Sequence, residues 1–339
     1  MPATRYDVLG IGNAIVDVIA NTEDDFLVAQ GMRKGGMMLI DEARARAIYD
    51  AMGPAVRASG GSAANTIVGV ASLGARAAFV GKVSDDQLGS VFIHDIRAAG
   101  VAFNTAAGRG GPSTARCYIM VTPDGERTMN TFLGAAQNLK PSDIDETAIS
   151  ASAVTYLEGY LWDPPQAKEA FVKAAAIAHK ASRQVALTLS DAFCVDRYRA
   201  EFLNLIRQGT VDIVFANEKE LTSLYETSDF DAAAKALRKD AKLGVVTRSE
   251  KGCVVVGPGG DVAVPAAPVT KVVDLTGAGD LFAAGFLVGL ARGKDHRTAA
   301  RLGALCAAEV IQHIGARPAV SLKNLAEENG LLVEVGPGA

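Results

Sequence analysis

The sequence predicts a three-layer α/β/α sandwich: a mostly parallel central sheet between two layers of helices, with a small β lid over it. Short apolar runs alternate with segments of helical period along almost the whole chain, as repeated strand–helix–strand units require. Those runs are nearly continuous in Val, Ile, Leu and Phe, which suits strands covered on both faces. One stretch, from about 105 to 133, breaks the alternation and reads as strands joined by turn residues. At 339 residues the chain is long for an ordinary domain but within the range of a large α/β domain with an added subdomain. The expected organisation is a single domain over 1–339, with a lid drawn from about 13–40 and 105–135.

The elements follow in order. "YDVLGIG" (6–12), "RAAFVG" (76–81), "AVTYLEG" (153–159), "QVALTLS" (184–190), "VDIVFAN" (211–217) and "LGVVTR" (243–248) read as sheet strands. Between and around them, 42–52, 63–74, 85–100, 164–181 and 230–241 carry helical spacing. The lid strands are "AIVDVIA" (14–20), "GGMMLID" (35–41), "STARCYIMV" (113–121) and "RTMNTFL" (127–133). Pro123-Asp124-Gly125 turns the last pair into a hairpin. The terminal "EVGPGA" is expected to fray.

Composition narrows the function. Apolar residues make up 49% and charged residues 21%, as in an ordinary soluble protein. A net charge of −4 gives no footprint for nucleic acid or an anionic membrane. Cys117, Cys194, Cys253 and Cys306 are scattered, without a CxxC pair, and read as buried free thiols. No signal peptide is visible, and the longest apolar run, Leu281 to Ala291, is short of the ~20 residues that span a bilayer. The expected location is cytoplasmic.

Chemistry concentrates where glycines open helices. In "DLTGAGDLFAAGFL" (274–287), Thr276, Gly277, Ala278 and Gly279 leave the backbone N–H groups of a helix start unobstructed, a favourable place for an anion. Asp280 stands beside that place. A carboxylate there either caps the helix or takes a proton from a hydroxyl while the backbone holds phosphoryl charge. Gly285 and Gly289, one turn apart, would let the helix approach a neighbour closely. "SGGSAANTIVGVASLG" places Gly60 and Gly61 at a second helix start, with Ser62 and Asn65 suited to the hydroxyls of a polyol. In "GIGNAIVDV", Asn13 and Asp17 would face one side of a strand, and an inward Asp17 needs hydroxyl donors to offset its burial. Gly10-x-Gly12 lacks the third glycine of a dinucleotide fingerprint, since Ile15 stands there, which disfavours a nicotinamide oxidoreductase. No Walker motif occurs: neither Gly81-Lys82 nor Gly293-Lys294 precedes Ser or Thr. A non-catalytic binding protein on the same scaffold is the other competing class; the intact aspartate and glycines of 277–280 argue against it.

"GGSAANT", "LGARAAFVGKVSDDQLG", "NEKE" and "DLTGAGDLFAAGF" together resemble the ribokinase-like (PfkB-type) family of sugar and nucleoside kinases, over nearly the whole chain. The resemblance implies a ribokinase-like sandwich, ATP and Mg²⁺ as cofactors, and K⁺ in some members. It makes Asp280 the base on the acceptor hydroxyl and Gly277, Ala278 and Gly279 the anion hole. Asn217 and Glu220 match the family's N-x-x-E pattern, in which Glu220 serves Mg²⁺ through water. Thr247, Arg248, Gly252 and Thr276 would line the nucleotide side, and Asp274 with the loop around Gly315 would hold a monovalent cation. The implied partners are ATP and a nucleoside or sugar, in a monomer or a homodimer.

Within that family "GNAIVD" and "VTPDGERTM" look more like the adenosine kinase branch. Asn13, Asp17, Gly60, Gly61, Ser62 and Asn65 would then hold the ribose, and Ile15, Tyr160 and Trp162 would line the base slot. Tyr160 and Trp162 read equally well as packing residues. That branch's aromatic falls nearer Leu161, and Thr276 matches the sugar kinases instead.

Overall fold

The computed structural model describes residues 4–332, so the expected frayed segment 334–339 lies outside the described residues. Nine strands form the main sheet: β1 (Tyr6–Ile11), β5 (Ala77–Val80), β6 (Val101–Phe103), β9 (Ser152–Glu158), β10 (Gln184–Thr188), β11 (Ile213–Asn217), β12 (Leu243–Thr247), β13 (Cys253–Val256) and β14 (Val262–Val264). Their order is β14-β13-β12-β11-β10-β9-β1-β5-β6. All neighbours are parallel except β12–β13 and β13–β14, an antiparallel edge built from short strands.

Side-chain alternation along these strands feeds two cores. Val8, Val154, Tyr156, Ala186, Ile213, Phe215 and Val245 point to one face, where they meet the Ser62–Ser72, Ala278–Ala291 and His296–Val310 helices. Leu9, Ile11, Leu157, Val185, Leu187, Val214 and Val246 point to the other, under the Pro165–Lys180 and Ala192–Arg207 helices. This is the predicted three-layer ribokinase-like sandwich. The four cysteines are buried and free, as read from the sequence.

The remaining strands form a second sheet: β2 (Ile15–Asn21), β3 (Met37–Leu39), β4 (Val56–Gly60), β7 (Ala115–Val121) and β8 (Arg127–Phe132), in the order β3-β8-β7-β2-β4. The β7–β8 hairpin closes at Gly125, whose φ is 83°. β4 is a lid strand that the expected bounds of 13–40 and 105–135 omit, because "VRASG" has neither an apolar run nor clear alternation. Val16, Val18, Ala20, Tyr118 and Met120 pack with Leu27, Ala45 and Ile48 behind this sheet. Ile15, Asp17 and Ile19 take the opposite face, in register with Ala115, Cys117 and Ile119, and Ile15 and Ile19 pack with Cys117, Ile119 and Val121 there.

Glycines set how tightly the central helices pack. From Leu281 to Gly289 every residue of the Ala278–Ala291 helix is buried. A Cβ on Gly285 would lie 2.6 Å from the Leu302 carbonyl oxygen, and one on Gly69 would lie 2.7 Å from Leu281. We predict that Gly285→Ala, which forces a methyl group against the Leu302–Gly303 backbone, destabilises the fold by about 1–3 kcal/mol. Urea unfolding measures this, and an unchanged midpoint would contradict the packing described.

Candidate active site

Two helix N termini meet at one carboxylate. Gly61 caps the Ser62–Ser72 helix with φ 97°, and Gly277 caps the Ala278–Ala291 helix with φ 81°, values that favour glycine. Space is as restrictive as φ: a Cβ on Gly61 would lie 2.3 Å from the Asn13 carbonyl oxygen, and one on Gly277 would lie 2.8 Å from Ala316. Asp280, in the first turn of the second helix, accepts 2.6 Å from Ser62 Oγ and 3.0 Å from Asn65 Nδ2 in the first turn of the other. Burial pushes its carboxyl up to about 6, against the pull of those two hydrogen bonds and the Arg317 charge. Beside it, a Cβ on Gly279 would meet nothing within 4 Å, so the first turn of this helix opens onto free space.

Asp17 faces this centre from the lid. A Cβ on Gly60 would lie 2.3 Å from its Oδ2, so the carboxylate rests directly against glycine backbone. No hydrogen bond reaches it from the described residues, and burial raises it to about 6, offset by Arg317 and Arg127. Ile15 stands on the same face, within the apolar patch of Cys117, Ile119 and Val121. Asp17, Ile15, Gly60, Gly61, Ser62, Asn65, Gly277, Ala278, Gly279 and Asp280 are thus brought together.

Asn13 is a correction. It lies in the link between β1 and β2, not on the strand, and it is buried. Its side chain turns to Glu158: Nδ2 donates over 2.7 Å and the backbone N–H over 3.3 Å to Oε1. Glu158 Oε2 also accepts 2.8 Å from the Ala63 N–H, so this acid holds the start of the Ser62–Ser72 helix. Burial pushes Glu158 up to about 7, with Asp280 adding to the rise. Glu158 was missed, although its signal was present: a carboxylate ending an apolar strand, at the strand end where open α/β sheets bind ligands. The buried Oδ1 atoms of Asn13 and Asn65 lack partners, which leaves two acceptors for hydroxyl donors.

Two arginines were also missed. Arg127 reaches from β8 to the Asp274 carboxylate. Arg317 donates from Nη2 to the Ser59 carbonyl at 2.8 Å and faces Asp17 and Asp280. Asp274 Oδ1 accepts from Thr276 N at 2.9 Å and Thr276 Oγ1 at 2.6 Å, while Oδ2 accepts 2.9 Å from Gly315 N and from Arg127. These donors together hold the Asp274 carboxyl below its ordinary range against its burial. Four donors on two oxygens, one of them a guanidinium, make Asp274 an ion-paired loop anchor at the place where the resemblance implies a monovalent cation. Thr276 serves the same anchor.

Where the sequence expects the nucleotide, Asn217 caps the Glu218–Leu224 helix and Glu220 closes a capping box with it, accepting 3.0 Å from the Asn217 N–H. Glu220 is buried, pushed up to about 7 by that burial with Asp191 nearby, and pairs with no cation among the described residues. Thr247 lies opposite Asn217 at the end of β12, and Gly252 turns the chain back with φ 85°. Arg248 is committed elsewhere, paired with Glu218 at 3.0 and 3.1 Å and stacked on Phe230. Trp162 is a packing residue: it is buried against Phe171 and Phe202, and its Nε1 donates 2.8 Å to Glu201. Tyr160 stays half-buried near Asp191, Glu220 and Asp280, and its phenol is raised by that burial.

Residues 50–323 match the PfkB family of carbohydrate kinases. The chain belongs to the PfkB family. It resembles the adenosine kinase structure of Sinorhizobium meliloti at 57% identity and TM-score 0.90, over 96% of this chain and 99% of that one. A structure named as a probable sugar kinase from Rhizobium etli is 52% identical, with TM-score 0.91 over 97% and 100% of the chains. Adenosine kinase of Saccharomyces cerevisiae is 28% identical over 90% of this chain and 94% of its own. This PfkB protein is therefore a kinase that acts on an alcohol group. No helix among the described residues is long and apolar enough to cross a membrane.

For this kinase we predict that Asp280→Asn keeps acceptor binding and lowers turnover by about 10²–10⁴-fold, the usual range for a general base. Steady-state kinetics with direct binding by calorimetry checks it, and a near-normal kcat would remove Asp280 from that role.

Proposed function

We propose that this PfkB kinase moves the γ-phosphoryl of ATP to the primary hydroxyl of a nucleoside, adenosine foremost, at its 5′-oxygen. The observation that carries the reading is the pairing of Asp280, at the open helix start, with a partnerless Asp17 beneath an apolar lid face. Asp17 and the orphaned amide oxygens suit ribose hydroxyls, and the patch of Ile15, Ile19, Cys117, Ile119 and Val121 beside them suits a base. Adenosine kinases among the relatives match over nearly the full length of both chains. A sugar kinase is the second reading, favoured by the Rhizobium relative's name and by the loss of Trp162 from the base slot.

The acceptor hydroxyl lies against Asp280, which takes its proton as the oxygen attacks phosphorus. The Gly279 and Asp280 N–H groups of the first turn would face the migrating phosphoryl, while the Ala278 N–H donates 3.2 Å to the Leu275 carbonyl, and the open space beside Gly279 would accommodate the group. Arg127 and Arg317 add positive charge to the acid-rich centre. Among the described residues no cluster of three or more His, Cys, Asp or Glu side chains is set to hold a metal. Mg²⁺ needs no such cage, since it takes one or two carboxylates together with phosphate oxygens and water. Glu220, buried and without a cation partner, fits that part, with Asp191 beside it. Bound there, Mg²⁺ would neutralise charge on the transferring phosphates. Lid closure over the acceptor would exclude water and so limit ATP hydrolysis.

An ADP-release screen across adenosine, inosine, guanosine, ribose, fructose and ketodeoxygluconate tests the acceptor. Adenosine is expected to give the highest kcat/KM. Strong fructose turnover with no nucleoside response would overturn the choice.

A further inference from the structure

The loop Gly315–Arg317, after the His296–Val310 helix, touches every part of the centre. Gly315 N–H donates 2.9 Å to Asp274, the anchor that also binds Arg127 of the lid. Ala316 lies under the anion-hole glycine, 2.8 Å from where a Cβ of Gly277 would stand. Arg317 Nη2 donates to the Ser59 carbonyl at 2.8 Å and to Ser59 Oγ at 3.2 Å, and Nη1 donates to the Ala64 carbonyl at 3.4 Å. Ser59 and Ala64 flank Gly60–Ala63, the turn from β4 into the Ser62–Ser72 helix, so one guanidinium grips both shoulders of this turn, the proposed acceptor loop. Its Nε is buried without a partner, so hydrogen bonding alone does not account for its placement.

Charge supplies the rest. Asp17 from β2, Asp280 from the Ala278–Ala291 helix and Asp95 from the Gln87–Ala98 helix all act on Arg317. Asp95 itself accepts 3.1 Å from the Ser59 N–H. The other groups facing Asp280 are Ser62 and Asn65, which donate to it, and Asp17, Tyr156, Glu158 and Tyr160, which sense its charge. Arg127 faces Asp17 as well. Among these groups Arg317 is the cation that acts on Asp280.

We propose that Arg317 is a positioning residue for phosphoryl transfer: it fixes the Gly60–Asn65 acceptor loop to the loop that braces the anion hole, and its charge keeps Asp280 and Asp17 ionised together. The proposal rests on the kinase reading but not on which alcohol is the acceptor. Fixing the acceptor loop should show in acceptor binding, and the shared charge should show in the pH profile.

The test compares Arg317→Met and Arg317→Lys with the unsubstituted enzyme, using adenosine, or fructose if adenosine is not turned over. In Arg317→Met the acid limb of the kcat/KM profile is expected to move up by about one pH unit, the size of one nearby charge. Its KM for the acceptor is expected to rise roughly 10- to 100-fold through misplacement, with the KM for ATP little changed. Arg317→Lys keeps the charge but not the two-sided grip, so it should restore the acid limb and retain the raised acceptor KM. An acid limb that stays in place in Arg317→Met, or a KM rise shared equally by ATP, overturns the proposal. Should circular dichroism show Arg317→Met unfolded, the lysine variant decides alone: a normal acceptor KM there overturns it.

Discussion

The Ser62–Ser72 and Ala278–Ala291 helices lie against each other because Gly69 carries no side chain where they cross. A methyl group there would stand 2.7 Å from Leu281 and 2.8 Å from Ala284. That contact fixes both N termini at one point, and each begins on a glycine with positive φ that no larger residue could occupy without collision. The bond from Ser62 to Asp280, spanning 218 residues of sequence, follows from this packing. A carboxylate and an open helix start therefore share one rigid unit, the arrangement that the proposed phosphoryl transfer needs held within a fraction of an ångström.

The second feature of the centre is an excess of acid, buried in Glu158 and Glu220 and half-buried in Asp17 and Asp280. Asp17 and Asp280 are raised to about 6, and Glu158 and Glu220 to about 7, each chiefly by burial. A carboxyl raised in the folded state destabilises the fold once pH passes above its ordinary value, because the folded chain then prefers a proton that solution removes. Such a cost is understandable at a site that, as proposed, would receive cations and hydroxyl donors with its ligands. Arg127 and Arg317 offset part of it, and both reach in from outside the two central helices: one from the lid, one from the loop after the His296–Val310 helix.

Much of this was legible in the residues. Near-continuous apolar runs gave the strands of the main sheet, since burial on both faces leaves little room for polar positions. The antiparallel strands β13 ("CVVV") and β14 ("VAV") are apolar but too short to stand out, and β4 carries no apolar run: its "VRASG" pairs with β2 through backbone. The glycine-opened helices pointed to Asp280, Ser62 and Asn65, because glycine at a helix start reports backbone access. The side-chain partners of Asn13, Arg248 and Trp162 depend on residues far away in sequence, namely Glu158, Glu218 and Glu201 across strand or helix boundaries, and spacing is silent about them. Arg127 and Arg317 were hidden for the same reason: a lone arginine in a hairpin or loop looks like any exposed cation until the fold turns it inward.

As the proposed base, the half-buried Asp280 must be ionised to accept the hydroxyl proton. The most direct measurement is kcat/KM for the acceptor against pH, which reports the free enzyme's ionisations. With Asp280 raised to about 6, the profile should fall as pH drops below about 6, and the fall should persist in Asp17→Asn. A profile that stays level down to about pH 4.5, near the ordinary carboxylate range, would contradict the claim.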